Sequence, residues 1–265
     1  MTFTGDEPFE LKKCIANGNF SKVYLAVKAD STQVACKVVK TAKMQREKVL
    51  REIFILNKLK GCKGIIAFDC YWEEPEQICI LMQLCNRGTL AQRLKPKVGE
   101  AKVPITSEER IDYLRQMCDI LMVLKNNRIV HCDIKLENIL INENNELLLA
   151  DFGLADIAGR MEKTSGSPNY MAPEFFDYTA PHPSYSTDLW AVGVTFFFLC
   201  TGGPPFSTRG TPLSLMIANV KARLWGSIEQ RKVLSSKELT IFESIFTEHV
   251  DRCTPEQVKE LCDDT

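Results

Sequence analysis

The stretch IVHCDIKLENILI, residues 129–141, sets a polar cluster between two short apolar runs. Val130 on one side and Ile139–Ile141 on the other have the composition of chain entering and leaving a packed interior. Between them Asp133, Lys135, Glu137 and Asn138 fall within six residues, and Cys132 directly precedes the aspartate. A turn of this kind is either an ordinary solvated connector or a site that gathers a carboxylate, an ammonium and an amide. Apolar flanks on both sides place it at an edge of the core, which favours the second reading.

Working outward, the bulk composition bounds what such a site serves. At 265 residues the chain is one large domain or two lobes sharing a core. It is 45% hydrophobic and 25% charged, as soluble globular proteins are, and its net charge of −1 gives no electrostatic reason for a nucleic-acid or anionic-membrane partner. The start, MTFTGDEPFE, lacks the basic-then-apolar pattern of a secretory signal. The longest apolar run, LWAVGVTFFFLC at 189–200, falls short of the roughly 20 residues of a membrane span and predicts a buried helix. Eleven scattered cysteines, odd in number and without a C-x-x-C pair, predict reduced thiols in a cytoplasmic protein, the nucleus being the alternative. The three histidines, His131, His182 and His249, are too dispersed for a structural zinc site.

The first third reads mostly as strand. FELKKCIA and KVYLAVKA flank a turn at Asn17-Gly18-Asn19, and QVACKVVK follows a second turn at Ala29–Thr32. Residues 44–60 change period: Val49, Ile53 and Leu56 form a helical stripe, continued by the stem of Lys60 with Leu59 beside it. IIAFDCYWE and QICILMQLC, joined around Glu74-Pro75-Glu76, read as two more strands. After the connector Asn86-Arg87-Gly88-Thr89 the regime is helical, with Thr106 and Glu109 spaced as a capping box. Ile111, Leu114, Cys118, Leu121 and Leu124 mark the apolar face of that helix. The expectation is an α+β protein: a β-rich lobe over 1–85, a helix-rich lobe over 86–265, and a cleft between them suited to a ligand.

Several residues have chemistry to offer that cleft. Lys37 ends VACK in an apolar strand, where an inward ammonium needs an anion. The following helix offers Glu47 or Glu52, about 140° apart, so only one faces the strand. Glu52, directly before Ile53 of the stripe, is the better placed. Gly18 lets a hairpin backbone approach an anion, although an Asn-Gly turn needs no such role. In the opening loop Asp133 can accept a hydroxyl proton, Lys135 can steady a transferring phosphoryl group and Asn138 can give an oxygen to a metal. Asp151, after the strand ELLLA and before Phe152-Gly153, has the setting of a Mg²⁺ ligand or of a plain turn.

Taken in order, glycine hairpin, VACK, helix glutamate, H-C-D-I-K-L-E-N, D-F-G and M-A-P-E at 171–174 resemble the eukaryotic protein-kinase family over essentially the whole chain. The resemblance implies the two-lobed kinase fold and an ATP- and Mg²⁺-dependent enzyme acting on protein substrates, as a monomeric catalytic domain. It implies that Ala16, Gly18 and Ser21 stand where the family has three loop glycines. Ile15, Val23, Ala35 and Leu140 then enclose the adenine, Met82 is the gatekeeper, and the backbone of Gln83 and Cys85 holds the base. Lys37, paired with Glu52, contacts the α- and β-phosphates; Asn138 and Asp151 hold Mg²⁺; Asp133 orients the acceptor hydroxyl, aided by Lys135. Leu56, Phe68, His131 and Phe152 correspond to a stacked apolar spine, Asp188 to the anchor of the catalytic loop, and Glu174 with Arg252 to a buried ion pair. Lys135 and Ser167, in GSPNYMAPE, imply the serine/threonine class, with local similarity to NIMA-related, polo-like and Unc-51-like kinases.

Two departures stand out. Cys132 replaces the arginine that in the family grips a phosphorylated activation loop, and a thiol is a weak, uncharged donor. Activity is therefore expected not to depend on a phosphate at Thr164, Ser165 or Ser167 clamped through residue 132. Ala16 and Ser21 restrict φ relative to glycine, predicting a stiffer hairpin and weaker ATP binding than in an Ala16→Gly variant. These departures define the alternative, a pseudokinase scaffold, against which stands the full set Lys37, Glu52, Asp133, Asn138 and Asp151. A small-molecule kinase of related fold is disfavoured by the M-A-P-E and GSPNY runs.

Overall fold

The computed structural model describes residues 9–18, 21–41, 43–95, 104–159, 166–176, 183–207 and 210–263. The alternating first third forms five antiparallel strands: β1 (Glu10–Asn17), β2 (Ser21–Val27), β3 (Gln33–Lys40), β4 (Phe68–Glu73) and β5 (Gln77–Gln83), in spatial order β1-β2-β3-β5-β4. The first hairpin closes with the Gly18 N–H on the Ser21 carbonyl at 2.8 Å. Asn19, part of the expected turn, lies outside the described residues. The period of two is visible in β5: Ile78, Ile80 and Met82 enter the main core, while Cys79 and Leu81 join Ala26, Val34 and Cys36 on the opposite face.

Helix α1 (Lys43–Lys58) packs against that inner face. Val49, Ile53 and Leu56 are buried as the stripe requires, and Ile55 and Leu59 join them. Lys60 does not continue the stripe. The helix ends at Lys58, residues 59–61 turn, and the exposed Lys60 ammonium stands 6.0 Å over the Phe68 ring instead.

The helical part comprises α2 (Leu90–Leu94), α3 (Ser107–Asn126), α4 (Tyr185–Thr201), α5 (Leu213–Lys221), α6 (Ile228–Lys232), α7 (Ser236–Ile245) and α8 (Pro255–Asp263). Short strands β6 (Ile129–Val130), β7 (Ile139–Ile141), β8 (Leu147–Leu149) and β9 (Asp156–Ile157) lie between α3 and α4 and pair as β6–β9 and β7–β8. Thr106 caps α3 through the Glu109 N–H at 3.1 Å, but only this half of the expected box forms. The Glu109 carboxylate is drawn instead to Arg93 at 3.0 Å and the Tyr113 hydroxyl at 2.8 Å. The apolar run at 189–200 is, as expected, the buried heart of α4, bounded at its N-terminus by a Ser184–Thr187 capping box. Among the described residues no helix is long and apolar enough to cross a membrane.

Glu174 and Arg252 meet in a bidentate pair at 2.7 and 3.2 Å. The same guanidinium donates to the carbonyls of Ile245, Ser186 and Thr247 and lies over the Trp190 ring. A fully buried guanidinium is tolerated because its donors are used. One continuous core runs from Val39 in the sheet to Cys262 in α8. Lys37 of β3 joins Glu52 of α1 to Asp151, two residues after β8.

Candidate active site

Strand β3 brings Lys37 to the inner face of the sheet, 8% exposed. Its ammonium lies 2.6 Å from Glu52 Oε1 and 2.7 Å from Asp151 Oδ1. Glu52 is buried on α1, whereas Glu47 is exposed. Burial works against the Lys37 charge, but the two carboxylates overcome it and hold its pKa above the ordinary lysine value. Burial likewise works against the Glu52 carboxylate; with a full ammonium at hydrogen-bond distance we assign the ionised pair. Asp151 is also penalised by burial, yet Lys37 brings its pKa below the usual carboxylate range. Its side chain is half-exposed and open to the cleft. A Cβ at Gly153 would sit tightly against Asp151 Oδ1, at 3.3 Å, and in ordinary contact with Glu52 Oε2, at 3.6 Å.

The loop between β6 and β7 forms the second half of the site. Asp133 receives the Lys135 ammonium at 2.6 Å, the Asn138 amide at 3.0 Å and the Ser167 hydroxyl at 2.9 Å. Lys135 also donates to Ser167 Oγ at 3.0 Å. The Asn138 amide donates to the Asp133 carbonyl as well, at 2.9 Å, so its nitrogen is committed to Asp133 and its oxygen turns away. The β7–β8 hairpin sets Asn138 beside Asp151: the Ala150 N–H donates to the Asn138 carbonyl at 2.9 Å.

The backbone of this loop is held from below. Asp188, at the start of α4, accepts the N–H groups of His131 at 2.7 Å and Cys132 at 2.9 Å. Burial pushes the Asp188 pKa up to about 7 against the pull of those two bonds. Cys132 and Asp151 both adopt left-handed backbone, φ 64° and 60°, which costs energy outside glycine and is kept where the surroundings enforce it. The Cys132 carbonyl is closely covered by Gly166, where a Cβ would approach it to 3.0 Å. Burial pushes the Cys132 thiol's pKa well up, which leaves it unreactive. The cysteine therefore fits its place as a small, partly buried, uncharged side chain.

His131 is buried, accepts the Asp133 N–H at Nδ1 (3.3 Å), and approaches the Ala150 carbonyl with Nε2 (3.2 Å). That pattern assigns the neutral tautomer protonated at Nε2. Burial pulls its pKa down to about 4. Its ring meets Phe152 edge-on at 4.8 Å, and Leu56, Phe68 and Phe152 are buried in the main core.

At the mouth of the cleft Ala35 pairs with Met82, both at most 9% exposed. Val23 lies opposite Lys37 in the β2–β3 pairing, and Ile15 is exposed on β1. Ala16 pairs with Val23, next to Gly18 and Ser21. Leu140 bridges Thr89 at the end of the connector. The Gln83 N–H is already donated to the Ala67 carbonyl at 2.9 Å. The Cys85 N–H has no partner among the described residues. Thr164 and Ser165 lie outside them.

No cluster of three or more His, Cys, Asp or Glu among the described residues can hold a metal ion unaided. The side-chain oxygens of Asn138 and Asp151 would make a partial set of the kind that fits Mg²⁺, an ion that keeps waters and takes phosphate oxygens. Sequence reasoning marks Ser167 as a class indicator and as one of three residues that could carry a phosphate, but does not reveal its bond to Asp133. It also missed Arg51 and Asp156, joined at 2.9 Å; the available signal was a basic residue directly before Glu52 and an acid five positions after Asp151.

The protein kinase domain family matches residues 9–262. The probable serine/threonine-protein kinase CCRP1 of Zea mays is 31% identical over 217 residues, covering 77% of this chain and 34% of that protein. Serine/threonine-protein kinase PLK2 of Mus musculus is 34% identical over 205 residues, covering 74% and 29%. Serine/threonine-protein kinase polo of Drosophila melanogaster is 31% identical over 210 residues, covering 76% and 35%. The chain thus spans about a third of the length of these curated relatives. With its sheet, helices and cleft residues in the arrangement described and a family match over nearly its whole length, the chain belongs to the protein kinase domain family, and these relatives are of the serine/threonine class.

Proposed function

We propose that the protein is a serine/threonine protein kinase that transfers the γ-phosphoryl group of ATP to a serine or threonine hydroxyl of protein substrates. The observation that carries this reading is the Ser167 hydroxyl, donating to Asp133 at 2.9 Å while receiving Lys135 at 3.0 Å. The site is built to hold an aliphatic hydroxyl between a carboxylate and an ammonium.

On this reading Asp133 orients the acceptor hydroxyl and takes its proton as the oxygen attacks, and Lys135 offsets negative charge on the transferring group. Lys37, kept cationic by Glu52, exchanges Asp151 for the α- and β-phosphates. Asn138 and Asp151 would hold Mg²⁺, which neutralises phosphate charge when bound. Ile15, Val23, Ala35, Met82 and Leu140 enclose the base, with the Gln83 carbonyl and the Cys85 N–H as its hydrogen-bond partners. Ala16, Gly18 and Ser21 cover the phosphates. Residues 1–85 and 86–265 form the two lobes. Eleven cysteines, none in a disulfide, support a reducing compartment, cytoplasm or nucleus. The net charge of −1 gives no electrostatic reason for a nucleic-acid partner, and membership of the family supports protein substrates and a monomeric catalytic domain.

Radiolabelled ATP with a generic basic or acidic protein substrate tests this. Asp133→Asn should lower transfer by roughly 10²–10⁴-fold, the usual cost of removing a general base. Equal transfer by both proteins would point to a contaminant. No transfer by either would favour the pseudokinase scaffold.

A further inference from the structure

Two ionic links join α1 to the segment after β8, and they run in opposite senses. In the first, Lys37 bridges Glu52 of α1 at 2.6 Å and Asp151 at 2.7 Å. In the second, Arg51 of α1, the residue before Glu52, donates from Nη1 to Asp156 Oδ2 at 2.9 Å. Asp156 is firmly set. It pairs with Val130 in the β6–β9 ladder, its other carboxylate oxygen accepts the Ile157 N–H at 2.7 Å, and its side chain is only 14% exposed.

The two links differ in what a nucleotide would do to them. In the function proposed above, Lys37 gives up Asp151 for phosphate oxygens, and the lysine then no longer ties α1 to that segment. The Arg51–Asp156 pair involves none of the groups a nucleotide engages. Arg51 and Glu52 are adjacent on one helix, about 100° apart, so a rotation that takes Glu52 off Lys37 also takes Arg51 off Asp156.

We propose that Arg51 and Asp156 are positioning residues, a latch that keeps α1 turned so that Glu52 stays on Lys37 with no phosphate on the activation segment; this rests on the kinase reading for its consequence in catalysis. The surroundings agree. Asp156 faces Val130 in the β6–β9 ladder, two residues before Cys132. A phosphate arriving there would meet an uncharged thiol, a carboxylate and an arginine already paired. The carboxylate of Asp156 supplies in the chain itself the anion that a modification would otherwise bring.

The test uses amide hydrogen exchange of the nucleotide-free protein, with phosphotransfer measured in parallel. Asp156→Asn and Arg51→Gln should each speed exchange in peptides over 46–56 by roughly two- to fivefold, the range expected for a part-exposed pair. Peptides over α3 should be unchanged. The charge-swapped double variant, Arg51→Glu with Asp156→Arg, should return α1 exchange to within about twofold of wild type, since a pair of either polarity closes the same latch. Unchanged α1 exchange in both single variants would overturn the proposal. So would a charge-swapped double variant that exchanges as fast as either single variant or faster, or an equal acceleration in α3, which marks general destabilisation. Wild-type protein that transfers no phosphate but shows the full exchange pattern would remove the kinase reading and leave the latch standing.

Discussion

Ser167 donates its hydroxyl to Oδ1 of Asp133 at 2.9 Å, across 34 residues of sequence. The bond fixes the carboxylate from the activation-segment side, while Lys135 and Asn138 fix its other oxygen. Ser167→Ala should lower kcat by about tenfold, the worth of one hydrogen bond to a charged group, with KM for ATP little changed. Ser167→Thr, which keeps the hydroxyl, should recover most of the loss. Steady-state kinetics on the three proteins checks this.

Glu174 and Arg252 predict a loss of stability. Their pair is closed and buried, so Glu174→Gln or Arg252→Met leaves an uncompensated charge or a broken hydrogen-bond set. Either should cost about 3–5 kcal/mol, lowering Tm by on the order of 10 °C in a chain of this size. Thermal unfolding is the measurement, and material that remains folded should keep its nucleotide affinity.

His131 predicts a pH dependence with a definite sign. Its folded pKa, about 4, lies below the ordinary value of 6.5. The folded state therefore resists a proton that the unfolded chain accepts. The stability linked to a neutral His131 is complete above the unfolded pKa and is lost as pH falls toward the folded one. His131→Phe should be less stable than wild type at pH 7.5, and the gap should shrink by on the order of 3 kcal/mol by pH 4. Comparing the two proteins by denaturant titration isolates this group, because Asp188, whose raised pKa acts in the opposite direction, contributes equally to both.

Cys132 predicts indifference to phosphorylation. With no arginine at this position and Asp156 nearby, phosphatase treatment of the purified protein should leave activity within about twofold. A large loss, restored by phosphorylating Thr164 or Ser165, would contradict it.

Much of this site was legible because its chemistry is local. Lys37 stands out as a charge in an apolar strand, and Glu52 is chosen over Glu47 by the stripe that Ile53 continues. Asp133, Lys135 and Asn138 share one loop. What stayed hidden depends on tertiary approach: the Ser167 bond, the Arg51–Asp156 pair across 105 residues, and the tautomer of His131, which is set by carbonyl and amide positions no spacing reveals. The two local errors have local causes. Lys60 lies past the end of α1, and Glu109 finds an arginine and a tyrosine more favourable than the N-cap backbone.

The most direct measurement is a crystal structure of the protein with a non-hydrolysable ATP analogue and Mg²⁺. The account predicts the phosphates on Lys37, the ion on Asn138 and Asp151, and the γ-phosphate facing Asp133, with Glu52 still on Lys37. A nucleotide bound elsewhere, or Lys37, Asp133 and Asp151 facing separate regions when it binds, would contradict it.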